Sequence, residues 1–197
     1  MGLRMLPQWR SQMGSFKHIS ATFWWAMLAY FIFHFAQLMP GPLFPIFWVR
    51  EAQLTDGQIG WVNAVFYLAM LAAAPLLAPL AKRLQNRRLN VVGAVLLGVY
   101  PLLTAMSNGM TLLIVAGLLG GVTWAILSGS LYNRLLEVVP DNNRPAHLAI
   151  YNLILNVAML SGTMLGPLMA DVVGLREILY VAAALRIISG LALARWG

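Results

Sequence analysis

Long apolar stretches separated by short polar connections run along most of the chain. An α-helix rises about 1.5 Å per residue, so roughly 20 apolar residues cross a hydrocarbon core about 30 Å thick. Six stretches are long enough, and we number them spans 1 to 6: residues 22–48, 58–81, 89–107, 110–136, 146–170 and 175–195. The pattern therefore predicts an all-α integral membrane protein with six transmembrane helices.

The overall composition agrees with a membrane protein. Of the 197 residues, 60% are hydrophobic and 10% are charged, whereas about a quarter of the residues of a soluble domain are charged. A net charge of +7 would suggest nucleic acid as the partner of a soluble protein. Here the basic residues lie mainly between apolar runs, which is typical of membrane orientation. We therefore expect a lipid bilayer, and no nucleic acid, as a partner.

The distribution of Lys and Arg predicts the topology. If the chain crosses the membrane six times, one side carries eleven basic residues and the other carries Arg50 and Arg176. The eleven are Arg4, Arg10, Lys17, Lys82, Arg83, Arg87, Arg88, Arg134, Arg144, Arg186 and Arg195. Basic residues stay on the cytoplasmic side, so we expect both termini in the cytoplasm and the protein in the cell membrane.

The chain divides into a basic cytoplasmic segment, residues 1–20, and a six-helix transmembrane domain, residues 21–197. Segment 1–20 is either an amphipathic stretch on the anionic leaflet or a disordered tail, and the sequence does not decide between them. Cysteine is absent, and the three histidines, His18, His34 and His147, are too scattered for a metal site. Without a nucleophile–base pair or a phosphate-binding loop, we expect neither an enzyme nor a cofactor.

Three motifs, found in order along spans 2 to 5, carry a family resemblance. Residues 78–88 read APLAKRLQNRR, residues 137–144 read EVVPDNNR, and residues 162–167 read GTMLGP. These resemble the G-x-L-A-D-R-x-G-x-R-R loop, the E-x-x-P-x-x-x-R element and the G-x-x-x-G-P element of the major facilitator superfamily. Lys82 stands where the loop pattern has Asp, and Gln85 stands where it has Gly.

The resemblance implies one half of a transporter whose two six-helix halves each consist of two inverted three-helix repeats. The basic residues at the start of the sequence and the incomplete match of residues 78–88 to the loop pattern favour the C-terminal half. The motifs also imply a cytoplasmic gating loop formed by Arg83, Arg87, Arg88, Glu137 and Arg144. We expect Glu137 to form a charge cluster with Arg83 and Arg144.

Polar residues within the spans are candidates for a substrate cavity, because polar groups in lipid are unfavourable without partners. The resemblance implies that spans 1, 2, 4 and 5 line the cavity while spans 3 and 6 lie outside. The candidates are His34, Gln37, Asn63, Tyr67, Trp124, Ser128, Asn152 and Asn156. The alternative is that they only form hydrogen bonds between helices. We expect them on one face, open to water or to a second half.

A further set of small residues and prolines is assigned to helix packing and hinges. Glycines four residues apart allow close approach of helices, and prolines remove backbone donors. The set comprises Pro40, Gly41, Pro42, Gly117, Gly121, Gly162, Gly166 and Pro167. Arg186 lies near the middle of span 6, where an arginine is unfavourable by about 2.5 to 3.5 kcal/mol. We expect it to snorkel or to pair within the bundle, with substrate contact as the alternative.

The sequence therefore favours secondary transport of a small solute by alternating access. The chain would supply one half of the transporter, completed by a second copy or by a separate chain. The alternatives are a non-transporting assembly or regulatory subunit and a truncated transporter fragment. The sequence identifies neither the substrate nor a coupling ion.

Overall fold

The computed structural model describes residues 20–141 and 143–197, so most of predicted segment 1–20 lies outside the described residues. Within them, six helical regions are long and apolar enough to cross a membrane. These regions are spans 1 to 6: Ala21–Arg50, Asp56–Leu84, Asn86–Met106, Met110–Val138, Arg144–Val173 and Leu175–Trp196. Every end lies within three residues of the predicted one, and the described residues contain no strand. The protein is therefore an all-α, multi-pass membrane protein.

Spans 4, 5 and 6 are continuous helices, whereas spans 1, 2 and 3 are interrupted. Span 1 consists of helices Ala21–Leu38 and Leu43–Arg50, separated by a turn that contains two prolines. Span 2 consists of helix Asp56–Ala73, a 3-10 turn at Ala74–Leu76 and helix Leu77–Leu84. Span 3 consists of helices Asn86–Leu97 and Val99–Met106. Pro167 lies inside the helix of span 5 without ending it.

Local sequence explains where several helices begin. The hydroxyl of Ser20 accepts a hydrogen bond from the amide of Phe23 at the start of span 1. Thr55 and Gln58 form a capping box at the start of span 2, since each side chain bonds the backbone of the other residue. Such caps satisfy amide groups that have no partner in the first turn.

The helices pack in a pattern that repeats when spans 1, 2 and 3 are exchanged with spans 4, 5 and 6. Span 2 packs against span 4, and span 5 packs against span 1. Span 3 packs against span 4, span 6 packs against span 1, and spans 3 and 6 contact each other. This is the arrangement that two related three-helix repeats would give.

The two glycine pairs lie at equivalent contacts of this pattern. On span 4, a Cβ at Gly121 would collide with the carbonyl oxygen of Phe66 on span 2, and one at Gly117 would lie 3.4 Å from the carbonyl oxygen of Val62. On span 5, Gly162 and Gly166 similarly face the span 1 backbone around Met39. The absence of a side chain therefore lets the backbones of these helices approach closely.

Candidate functional site

A cavity of about 430 Å³ lies among spans 1, 2, 3, 4 and 6. This volume is within the range of 300 to 1,000 Å³, roughly, that is typical of small-molecule sites. The walls combine aromatic rings, a few amides and one arginine. The lining residues are Gln37, Leu38, Gly41, Phe44, Pro45, Trp48, Ile59, Asn63, Phe66, Tyr67, Leu97, Tyr100, Trp124 and Arg186.

Four of the eight cavity candidates line this cavity: Gln37, Asn63, Tyr67 and Trp124. They come from spans 1, 2 and 4. The amide nitrogen of Asn63 donates to the carbonyl oxygen of Ile59 at 3.1 Å, which fixes the side chain along its own helix. Tyr67 is 59% exposed, so it also lies at the surface of the bundle.

The other four candidates do not line this cavity. His34 is 8% exposed, and its Nε2 lies 3.0 Å from the hydroxyl oxygen of Tyr151, within an apolar cluster. Ser128 is half-buried, and its hydroxyl lies 3.5 Å from the carbonyl oxygen of Ala125. Asn152 and Asn156 are exposed on span 5, which contributes no residue to the cavity.

Arg186 is the charged residue of the cavity wall, and its side chain is held by backbone carbonyl groups. It is 3% exposed. Its Nε donates to Ala36 at 3.4 Å, its Nη1 donates to Leu97 at 3.0 Å, and its Nη2 donates to Gln37 at 2.9 Å. Span 6 thus joins the breaks in spans 1 and 3. Arg186 pairs within the bundle and also lines the cavity, so it does not snorkel.

Prolines explain why these carbonyl groups are free to accept. In a regular helix, Ala36 would accept from residue 40 and Leu97 from residue 101, but both positions are proline and have no N–H. Gln37 would accept from Gly41, whose amide instead donates to Leu38 at 3.0 Å. A buried carbonyl group without a hydrogen-bond donor is unfavourable. The guanidinium group of Arg186 therefore supplies the donors that all three carbonyl groups lack.

Several residues of the cavity were not predicted from the sequence. Spans 3 and 6 line it through Leu97, Tyr100 and Arg186, although the resemblance placed both spans outside. Tyr100 packs edge-on against Phe44 and Phe66, with ring centroids 4.8 and 5.8 Å apart. The mid-span charge of Arg186 was a signal for its position, whereas nothing in the sequence distinguished Tyr100 from other aromatic residues.

The charge cluster around Glu137 differs from the expected one. Glu137 accepts from the side-chain amide of Asn86 at 2.7 Å and pairs with Arg134 at 3.1 Å. Arg144 pairs instead with Asp141 at 2.9 Å. Among the ion pairs of the described residues, none joins Glu137 to Arg83 or Arg144. Partners three residues away in the same segment replace the distant arginines, since little chain has to be ordered to bring them together.

The basic residues of the loop behave differently from one another. Arg87 donates to the carbonyl oxygen of Ala194 at 2.8 Å, which ties the loop to the end of span 6. Lys82, Arg83 and Arg88 are exposed. Gln85 has φ 64° and ψ 148°, a conformation that glycine adopts easily and other residues rarely adopt. Gln85 stands at a Gly position of the loop pattern, so the backbone turn persists although the glycine does not.

Comparisons with known proteins agree with this architecture. Residues 26–197 match the family model of the Major Facilitator Superfamily. The quinolone resistance protein NorA of Staphylococcus aureus is 23% identical over 148 residues, which cover 75% of this chain and 38% of NorA. An uncharacterized MFS-type transporter of Mycobacterium tuberculosis is 26% identical over 147 residues, which cover 74% of this chain and 25% of that protein. The chain thus spans well under half of these relatives, and it belongs to the Major Facilitator Superfamily.

Proposed function

We propose that this chain forms one half of a secondary transporter that moves a small solute across the cell membrane by alternating access. The observation that carries the proposal is the cavity of about 430 Å³, which lies within the helix bundle and has amide, hydroxyl and guanidinium groups in its wall. Polar groups within transmembrane segments commonly face the bundle interior or a water-filled cavity, where they mark the path of a solute or an ion. The bundle therefore offers a pocket of a size that suits a small solute, with polar groups in its wall.

The family and the relatives support the proposal. Members of this family are transporters, and one relative is named for quinolone resistance while another is named as a transporter. By this likeness the solute would be a small organic molecule. The family also argues against an enzyme, because its members move solutes without a chemical step on them.

A second six-helix half would complete the transport path. Spans 2 and 5 are the least buried of the six within the bundle. Their outer surfaces carry Leu71, which is 70% exposed, Tyr67, and the amides of Asn152 and Asn156. The side-chain amide of Asn156 donates to the carbonyl oxygen of Asn152 at 2.7 Å, but polar groups that face hydrocarbon remain unfavourable, so we propose that a second copy or a separate chain covers this surface.

Cysteine labelling tests alternating access without knowledge of the substrate. The chain contains no cysteine, so Asn63→Cys introduces a single thiol in the cavity wall. In right-side-out and inverted vesicles, a membrane-impermeant maleimide should label this thiol from either side. Val92→Cys is the control: Val92 is 53% exposed but faces outward from span 3, so lipid should keep it unlabelled.

Labelling of Asn63→Cys from one side only would favour a non-transporting subunit that keeps the fold.

The mass of the purified protein in detergent would identify the partner. A dimer indicates a second copy, a complex with another polypeptide indicates a separate half, and an inactive monomer indicates a fragment.

A further inference from the structure

The cavity wall contains a positive charge and no negative one. Arg186 is among the lining residues, and none of the fourteen is Asp or Glu. All six acidic residues of the chain lie in the described part, and their ion pairs involve Arg134, Arg144 and Arg176 but not Arg186. The guanidinium group is thus buried in the membrane without a counter-charge.

The backbone carbonyls that hold Arg186 leave part of its hydrogen-bonding capacity unused. A guanidinium group has five N–H donors in a planar fork. Three of them are used by Ala36, Gln37 and Leu97, one at each of its three nitrogen atoms. Each of the two Nη atoms retains one N–H. Carbonyl dipoles compensate a buried charge only in part, so an anion beside Arg186 would be favoured.

A second donor of the same wall has no acceptor. Trp48 is 5% exposed and lines the cavity, and its buried indole Nε1 has no hydrogen-bond partner among the described residues. A buried N–H group without an acceptor is unfavourable. This observation is independent of Arg186, because the indole nitrogen of Trp48 forms no hydrogen bond with the carbonyl groups that hold the arginine. Both donors call for a ligand with acceptor atoms.

The rest of the wall is mainly aromatic. Four residues contribute aromatic rings: Phe44, Phe66, Tyr100 and Trp124. The edge-on contacts of Tyr100 with Phe44 and with Phe66 hold the tyrosine ring in place. We propose that the cavity binds a small aromatic carboxylate, with the carboxylate paired to Arg186 and the aromatic body against these rings. The inference rests on the proposed function in so far as this cavity is the solute site.

Two matched probes test the charge preference on the full chain in lipid nanodiscs. The probes are 2-naphthoate and 2-naphthamide, which differ in charge but hardly in shape. Binding is measured by ligand-induced thermal stabilisation and by quenching of tryptophan fluorescence. We expect 2-naphthoate to bind about tenfold more tightly than 2-naphthamide, since hydrogen bonds between two charged groups are roughly twice as strong as neutral ones.

Arg186→Gln should abolish the preference. Arg176→Gln is the matched control, because Arg176 lies on the same helix and also donates to backbone carbonyls, those of Ala105 and Ser107, but does not line the cavity. It should retain the preference.

If Arg186→Gln does not fold, Asn63→Asp still decides, since it places a carboxylate of nearly the same shape in the wall and should reverse the preference. Trp48→Phe should weaken binding of 2-naphthoate without affecting the carbonyls held by Arg186.

Equal affinity of the two probes, or no binding of either at millimolar concentration, would overturn the inference. So would an undiminished preference in both Arg186→Gln and Asn63→Asp. The proposed transport is judged separately: a carboxylate preference with one-sided labelling of Asn63→Cys keeps this inference and removes transport. Two-sided labelling without a carboxylate preference keeps the proposed transport and removes this inference.

Discussion

The Nη1 atom of Arg186 donates to the carbonyl oxygen of Leu97 at 3.0 Å, and Leu97 is the residue whose helical donor is replaced by Pro101. A charged side chain of span 6 thus performs the role of a missing backbone amide in span 3. The same group serves the turn of span 1 that contains Pro40. The two interruptions and the arginine form one structural unit, which explains a charge at this depth without any ion pair.

If Arg186 replaces the missing amide, restoring the amide should make the arginine less necessary. Pro101→Ala supplies an N–H to Leu97, so Arg186→Met should destabilise the Pro101→Ala protein less than it destabilises the original protein. The expected coupling is about 1 kcal/mol, the net value of one hydrogen bond. Reversible unfolding of all four proteins in mixed micelles measures it.

Pro145→Ala is the control for this cycle. Pro145 lies in the first turn of span 5, where an amide has no helical partner, so its replacement should be additive with Arg186→Met. A coupling of similar size with Pro145→Ala would show that the effect does not depend on the carbonyl group of Leu97.

The contact between spans 2 and 4 depends on Gly121. A Cβ there would overlap the carbonyl oxygen of Phe66, which belongs to backbone and cannot move aside. We expect Gly121→Ala to separate the two helices and to destabilise the protein by about 2 kcal/mol, within the range for overpacking. Gly60→Ala is the control, because nothing lies within 4 Å of its added Cβ and alanine favours a helix. It should be neutral or slightly stabilising, and thermal unfolding in detergent compares the two.

Gln85 is held in a backbone conformation that favours glycine. With φ 64° and ψ 148°, it joins helix Leu77–Leu84 to helix Asn86–Leu97. Gln85→Gly should therefore raise the free energy of unfolding by about 1 kcal/mol, because it relieves strain of this order. Gln85→Ala removes the same side chain but not the strain, so it should give no such gain. Equal stability of the two variants would show that the turn is not strained.

The sequence predicted the spans well because their requirement is local. A segment that crosses lipid must be apolar along its whole length and must satisfy its own backbone groups, whatever its neighbours are. Each end of the six spans therefore lies within three residues of the predicted one. The glycine pairs were also recognisable, because their spacing alone places them on one side of a helix.

Side-chain direction within the bundle was harder to predict. His34 and Gln37 are three residues apart and were expected to share a face, but such residues still differ in direction by about 60° at 3.6 residues per turn. That difference suffices to turn His34 towards Tyr151 and Gln37 towards the cavity. Glu137 presents a similar limit, since several arginines of equal charge were within reach and only the folded geometry selects Arg134.

The topology gives a prediction that depends on charge rather than on packing. Ten of the eleven basic residues assigned to the cytoplasmic side lie in segment 1–20, near span ends or in connections, and Arg186 is the exception. We expect reporter fusions at Gln85 and Asn142 to be cytoplasmic and fusions at Asp56 and Asn108 to be external.

Replacing Arg87 and Arg88 by Gln should reduce the orientation bias of these fusions without inverting it, because Lys82 and Arg83 remain in the same connection. The control replaces Arg176, on the opposite side, by Gln and should leave every fusion unchanged. A cytoplasmic reporter at Asn108 would contradict the topology, since spans 3 and 4 would then no longer both cross the membrane.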